Sequence, residues 1–276
     1  MPRTRLSLAV VVSAATAVAA FPIQSASGGT HRAVGQPDVP VQLIAMNDFH
    51  GRISLTSGGD SELVTDPGPD GVWGPDENGV SDDVVTEVGG SANVAATVQR
   101  QQGAFRREAG GSSASFFVAA GDLVSASPFE SSLFKDEPTI EVIDAMGLDV
   151  SSVGNHEFDR GTQELRRISA ATDGRYTDDV TECLGVTPGV DGCFGEGEHA
   201  FSGADFPYLA ANVVSRRTGA PMLLPFQIFY APDGTKVGLI GVVTETTPTV
   251  VSPAGITDVE FLDEADAVNR WVPTLR

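Results

Sequence analysis

The sequence predicts an α/β fold, on three observations. Val41 to Met46, Ser115 to Ala120 and Asp149 to Val153 are short apolar runs of strand length. Stretches of helical composition, Ala92 to Arg107 and Thr139 to Met146, lie between them. Polar residues cluster directly after each apolar run, at the place where open α/β sheets keep their active sites. With 276 residues and 41% hydrophobic content, the chain is long enough to bury the core of one large domain.

In chain order, Met1 to about Ser27 reads as a secretory signal. Arg3 and Arg5 form a positive n-region and Leu6 to Phe21 is small and apolar. Val18-Ala19-Ala20 or Ser25-Ala26-Ser27 supplies a small-residue cleavage site. The alternative is a single membrane anchor, for which the run is near the lower length limit and rich in Ala and Ser. Residues 28–40 form a linker, and 41–276 form the domain. Within it, Ser57 to Glu87 carries nine acidic and no basic residues and is expected to be a solvated surface insertion. The spacing of Asp66, Asp70, Asp76 and Glu77 does not match an EF-hand.

Further elements follow. Thr139 to Met146 is expected to end at Gly147, and Arg160 to Ala171 to form another short helix. Phe206 to Val214 is a strand region. Phe226 to Tyr230 and Lys236 to Val243 pair as a hairpin across Ala231 to Thr235. Asp263 to Arg276 is a helix capped near Asp263, with Pro273 as a possible kink. The only cysteines, Cys183 and Cys193, lie in a Gly-rich acidic loop; in an exported protein they are expected to form a disulfide.

The chemistry sits at the three strand ends. The first run ends in Asn47-Asp48-Phe49-His50-Gly51, where Asp48 and His50, two apart, would face one side of an extended segment. A carboxylate and an imidazole on one face make half of a metal site. The second ends in Gly121-Asp122, a lone carboxylate able to bridge two cations. The third continues as Gly154-Asn155-His156-Glu157-Phe158-Asp159. Asn155 offers a neutral oxygen, His156 a proton or a ligand, and Asp159 a partner for the other ring nitrogen. Ser125 and Ser127, just past Asp122, are turn residues or substrate contacts.

Asp-x-His, Gly-Asp and Gly-Asn-His-Glu, in this order and each after an apolar run, resemble the calcineurin-like metallophosphoesterase superfamily. The longer matches, together with Tyr208-Leu209-Ala210-Ala211-Asn212-Val213, resemble its secreted 5′-nucleotidase branch, which includes UDP-sugar hydrolases and 2′,3′-cyclic phosphodiesterases. The resemblance implies a layered α/β/β/α sandwich of two mixed sheets with helices outside. It implies a hydrolase with two divalent metal ions (Zn, Mn, Mg or Ca). Asp48 and His50 would bind the first, Asp122 would bridge both, and Asn155 would bind the second. His156 would face the phosphate, oriented by Asp159, and Asn212 would lie near the substrate.

The family completes its site with later His residues. Of the four His here, His31 falls in the leader and His199 upstream of where those ligands belong. The domain is therefore expected to be C-terminally incomplete at Arg276. The alternative is a non-catalytic exported protein of the same ancestry. The formal net charge of −20 argues against a nucleic-acid or anionic-membrane partner. It leaves a small nucleotide or other phosphate ester possible, because bound divalent cations reverse the local field. The expected location is extracellular or in the cell envelope, without a stable membrane anchor.

Overall fold

The computed structural model describes residues 10–12, 38–55, 61–111, 113–169, 185–195 and 201–276. Its centre is a five-stranded sheet in which every pairing is parallel. The strands are β1 (Val10–Val12), β2 (Val41–Met46), β5 (Ala114–Ala119), β6 (Val150–Ser152) and β7 (Tyr208–Leu209), side by side in that order. β1 comes from the segment assigned to the leader and pairs with β2 from Val10↔Leu43 to Val12↔Ala45. Because neighbouring strands run the same way, all their C-terminal ends meet at one edge of the sheet.

The runs are apolar throughout because both faces are covered. In β5, Phe116 and Phe117 point to opposite sides and both are buried. Phe117 joins Val98 of α1 (Ser91–Ala109) and Ile140 and Ile143 of α3 (Glu137–Met146) in the main core. Phe116 joins Leu43, Ala231 and Val237 in a second core beneath the ribbon of β9 (Phe226–Tyr230) and β10 (Lys236–Ile240). Its ring lies 4.9 Å from that of Phe229. On the far side of the ribbon packs α5 (Glu264–Leu275), with Trp271 5.6 Å from Phe226. Helices, parallel sheet, β-ribbon and helix thus stack in the expected α/β/β/α order. Among the described residues the second β layer is an antiparallel ribbon rather than a full mixed sheet.

Local signals explain the boundaries. α3 ends at Gly147, which takes a left-handed backbone (φ 77) while its N–H reaches Asp144 and Ile143 carbonyls. Asp263 caps α5 by accepting the Asp266 N–H at 2.8 Å. The region Phe206 to Val214, expected as one strand, is two. β7 belongs to the parallel sheet. The chain then turns through Ala210 and Ala211 into β8 (Val213–Ser215), which pairs antiparallel with β11 (Val259–Phe261). Sequence reading also missed the hairpin of β3 (Glu62–Asp66) and β4 (Val84–Glu87) inside the acidic insertion. Its apolar residues Val64, Val84 and Val85 are exposed, so no buried face marked it.

α4 (Gly161–Ile168) carries a fully buried arginine. Arg167 holds Glu164 through Nε (2.8 Å) and Nη2 (2.7 Å), and Glu137 of α3 through Nη1 (2.5 Å). Glu137 also accepts the Cys193 and Phe194 N–H groups. Cys183, His31 and His199 lie outside the described residues.

Two predictions follow from this packing. Arg167→Met strips the buried carboxylates of their cation and should cost about 3–5 kcal/mol in urea unfolding; a loss below 1 kcal/mol, of the size surface pairs give, would contradict it. Burial raises Asp144 to about 7, helped by Asp205 and Glu141, although its carboxylate accepts the Asp205 N–H. The folded protein therefore holds a proton that the unfolded chain releases. This contribution to stability is complete below pH 3.8 and is lost as pH rises through about 7. The melting temperature of Asp144→Asn should fall less across that window than that of the parent, and parallel curves would refute the assignment.

Candidate metal centre

The site forms where β2, β5 and β6 end. Beyond β2 and β5 the two chains stay zipped: Asp48 N donates to Gly121 O (3.2 Å), His50 N to Asp122 O (3.1 Å) and Gly51 N to Leu123 O (3.0 Å). The backbone is not extended here. Asp48 (φ 54), His50 (φ 46), Asp122 (φ 53), Ser125 (φ 66) and Ala126 (φ 48) are all left-handed. Only eight non-glycine residues among those described have positive φ, so most of this strain lies at one place. The expectation that Asp48 and His50 share a face of an extended segment is corrected. They meet through the turn, with Asp48 Oδ1 3.7 Å from His50 Nε2.

Glu157 locks the second and third loops together. Its buried carboxylate accepts N–H groups from Asp122 (2.9 Å), Leu123 (2.8 Å) and Gly154 (2.5 Å). Burial raises its pKa and the three backbone donors oppose that rise. Gly121 and Gly154 allow the loops to touch, since a Cβ on Gly121 would overlap the Gly154 backbone. The motif contained Glu157, but its clamping role was not read from the sequence.

Each histidine has one ring nitrogen occupied. His50 Nδ1 lies 2.9 Å from the Ser125 carbonyl, which accepts only from a protonated Nδ1 and so leaves Nε2 available as a ligand atom. His156 Nδ1 lies 2.7 Å from Asp159 Oδ2. Burial pushes the His156 pKa down, but the Asp159 hydrogen bond and charge, with Asp122 and Glu157 nearby, raise it overall. The two rings meet edge to face at 4.7 Å. Asp122 Oδ1 accepts the His156 N–H at 3.0 Å.

The structure brings most of the sequence-derived residues together. His50, Asp122 and His156 place one ligand atom each within 4.8 Å of one another. Asp48 adjoins His50, and its carboxylate accepts from Asn47 Nδ2. Asn155, half-buried, sits on the turn before His156. Imidazole and carboxylate donors in one space fit a transition-type divalent cation such as Zn or Mn. Asn212 is a correction. It is fully buried and its amide is consumed by backbone: Nδ2 donates to Val243 O (2.6 Å) and Leu262 O (2.9 Å), and Oδ1 accepts from Val243 N (3.0 Å). It pins the turn between β7 and β8 to two later segments. The Ser125 carbonyl was missed, since a backbone acceptor leaves no mark in sequence.

No family model matches the chain. Among characterised and uncharacterised proteins it is 33% identical to Endonuclease YhcR of Bacillus subtilis over 253 residues, covering 92% of this chain and 17% of that protein. It is 34% identical to Cell wall protein Lmo0130 of Listeria monocytogenes, covering 90% of this chain and 27% of that one. An uncharacterized protein of the pqq-V 5′ region of Acinetobacter calcoaceticus is 36% identical, over 67% of this chain and 75% of that protein. A 5′-nucleotidase of Vibrio cholerae is 27% identical over 58% of this chain and 23% of that protein. The chain thus spans about a sixth of YhcR and about a quarter of Lmo0130. The fold is shared with Haemophilus influenzae NAD nucleotidase (TM-score 0.56, 20% identity, 84% of this chain and 31% of that one). It is shared too with the calcineurin-like phosphoesterase YfkN of Bacillus subtilis (TM-score 0.51, 22% identity, 87% and 59%). Sequence relatives, fold and strand-end motifs agree: the chain is a homologue of the 5′-nucleotidases and has the fold of the calcineurin-like phosphoesterases.

Proposed function

We propose that the chain is a secreted, metal-dependent phosphoesterase domain of 5′-nucleotidase type that hydrolyses phosphate esters of small nucleotides. One observation carries the reading: His50, Asp122 and His156 converge within 4.8 Å at the common C-terminal edge of a parallel sheet. Calcineurin-like phosphoesterases use divalent metals. In this reading Asp48 and His50 would hold one ion, Asn155 another, and Asp122 would serve both. Two bound cations would supply Lewis acidity that activates water and offsets phosphate charge.

The chain's own residues do the rest. Asp159 takes a hydrogen bond from His156 Nδ1, which leaves Nε2 to donate a proton to the departing alkoxide oxygen. The raised pKa of His156 suits it to hold that proton. Glu157 fixes Asp122 and His156 in one frame by bonding the Asp122 and Gly154 amides. The net charge of −20 favours a small nucleotide over a polyanionic nucleic acid. The basic start and apolar run of residues 1–27 read as a leader, whose removal would leave β2 as the edge strand. This reading and the likeness to a cell wall protein support an extracellular or envelope location. Among the described residues no helix is long and apolar enough to cross a membrane. Cys183 and Cys193 are proposed to pair as a disulfide that holds the acidic loop.

Titration of the 276-residue chain with Mn²⁺ or Zn²⁺, with AMP as substrate, tests the reading. Loading of two ions with release of phosphate is expected. A single weak site and no release, in a protein that melts cooperatively, would overturn catalysis in favour of a ligand-binding domain. Asp122→Asn keeps an oxygen for the His156 N–H, so its melting point should stay near the parent's. Its turnover should fall by more than the roughly hundredfold that loss of an outer-shell partner costs. Full activity would sink the bridging role.

A further inference from the structure

Between α2 (Phe129–Ser132) and α3 the chain reverses through Lys135 and Asp136, both left-handed (φ 53 and 63). Asp136 ends up 1% exposed, among Ser131 and Thr139, which are both fully buried. Its Oδ1 accepts from Ser131 Oγ at 2.8 Å, and Ser131 Oγ meets Thr139 Oγ1 at 2.5 Å. Its Oδ2 accepts the Ser125 N–H at 3.1 Å and lies 3.4 Å from Arg160 Nη2. A buried carboxylate needs such partners, and one of the three here, the Ser125 N–H, lies on the loop that carries the Ser125 carbonyl.

That carbonyl is the atom that meets His50 Nδ1. A second contact runs from the same cluster to the same loop. A Cβ on Gly51 would meet Ser127 Oγ at 2.6 Å and Thr139 Oγ1 at 2.9 Å, so the residue after His50 already lies against Ser127 and Thr139. On the other side, Arg160 directly follows Asp159, whose carboxylate holds His156.

We propose that Asp136 is the positioning residue for His50. Through Ser125 it fixes the imidazole as the tautomer with hydrogen on Nδ1, and so aims Nε2 toward Asp48. Through Arg160 it ties this assembly to the Asp159 turn that orients His156. One carboxylate thereby sets the spacing of two imidazoles that lie on different strand-end loops. This rests on the reading of His50 as a metal-holding residue.

The test reads the imidazole nitrogens of His50 by long-range ¹H–¹⁵N correlation in the metal-free protein, and Mn²⁺ affinity separately. In the parent, His50 should show a protonated, pyrrole-type Nδ1. In Asp136→Ala the two nitrogens should move toward averaged values, and Mn²⁺ affinity should fall roughly ten- to a hundredfold. Asp136→Asn can accept the Ser125 N–H with its amide oxygen and donate its amide N–H to Ser131 Oγ, and should restore both readouts to within a few-fold. Parent-like His50 signals and affinity in the Ala variant, or an Asn variant as perturbed as Ala, would overturn the assignment. If Asp136→Ala does not fold, Arg160→Met decides. It removes only the partly exposed partner, and it should shift the His50 signals in the same direction; unchanged signals would overturn the proposal. A parent that binds no Mn²⁺ but shows the fixed tautomer would instead count against the metal site and leave the positioning of His50 standing.

Discussion

Three backbone N–H groups from two different strand ends donate to one carboxylate, that of Glu157. Without it the Gly121–Asp122 loop and the Gly154–Asn155 loop would each carry buried donors with no acceptor, at a cost of about 1–3 kcal/mol per group. With it, Asp122 is forced against the His156 turn, and its own Oδ1 accepts the His156 N–H. The remaining parts of the site hang from this joint. The Asp48–Gly51 loop zips to the Asp122 loop through backbone bonds, and the Ser125 carbonyl that follows reaches back to His50.

The joint also explains where the strain lies. Left-handed Asp48, His50 and Asp122 are each unfavourable by about 1–2 kcal/mol, and a free loop would relax them. They persist because the sheet beneath is buried on both faces and cannot yield. Phe117 and Phe116 anchor β5 into the helical core and the ribbon core respectively. A rigid parallel sheet holding three bent loops gives convergent side chains without mobile connections. The buried Arg167–Glu137–Glu164 group serves the neighbouring α3 and α4, whose ends lead into the Asp136 and Asp159 turns.

Charge sets the other constraint. Asp48, Asp122, Glu157 and Asp159 crowd around two imidazoles in a chain of net charge −20. A site so acidic is poorly suited to an anionic substrate by itself and well suited to cations, which would then present positive charge to phosphate. The raised pKa of His156 reports the same field from within the protein. On the proposed reading, these electrostatics would favour cation binding before phosphate.

The sequence alone determined the strands β2, β5 and β6 and the residues at their ends. Burial on both faces demands unbroken apolar runs, and the polar residues after them stand out against that background. It determined α1, α3 and α5, whose stops at Gly147 and starts at Asp263 are local chemistry. It also carried Asp48, His50, Asp122, Asn155 and His156 in a recognisable order. Only the tertiary structure decided that Asn212 faces the interior, because an Asn at a strand end looks the same in sequence whether its amide meets a substrate or the backbone of Val243 and Leu262. It alone revealed the solvent-exposed β3–β4 hairpin, which lacks a buried face, and β11, whose partner β8 lies more than forty residues earlier. It alone joined Asp136 to Ser125 and Ser125 to His50, across 11 and 75 residues of chain. Sequence fixes which groups are available within a few residues of one another; which of them meet across the fold is set by how the layers pack.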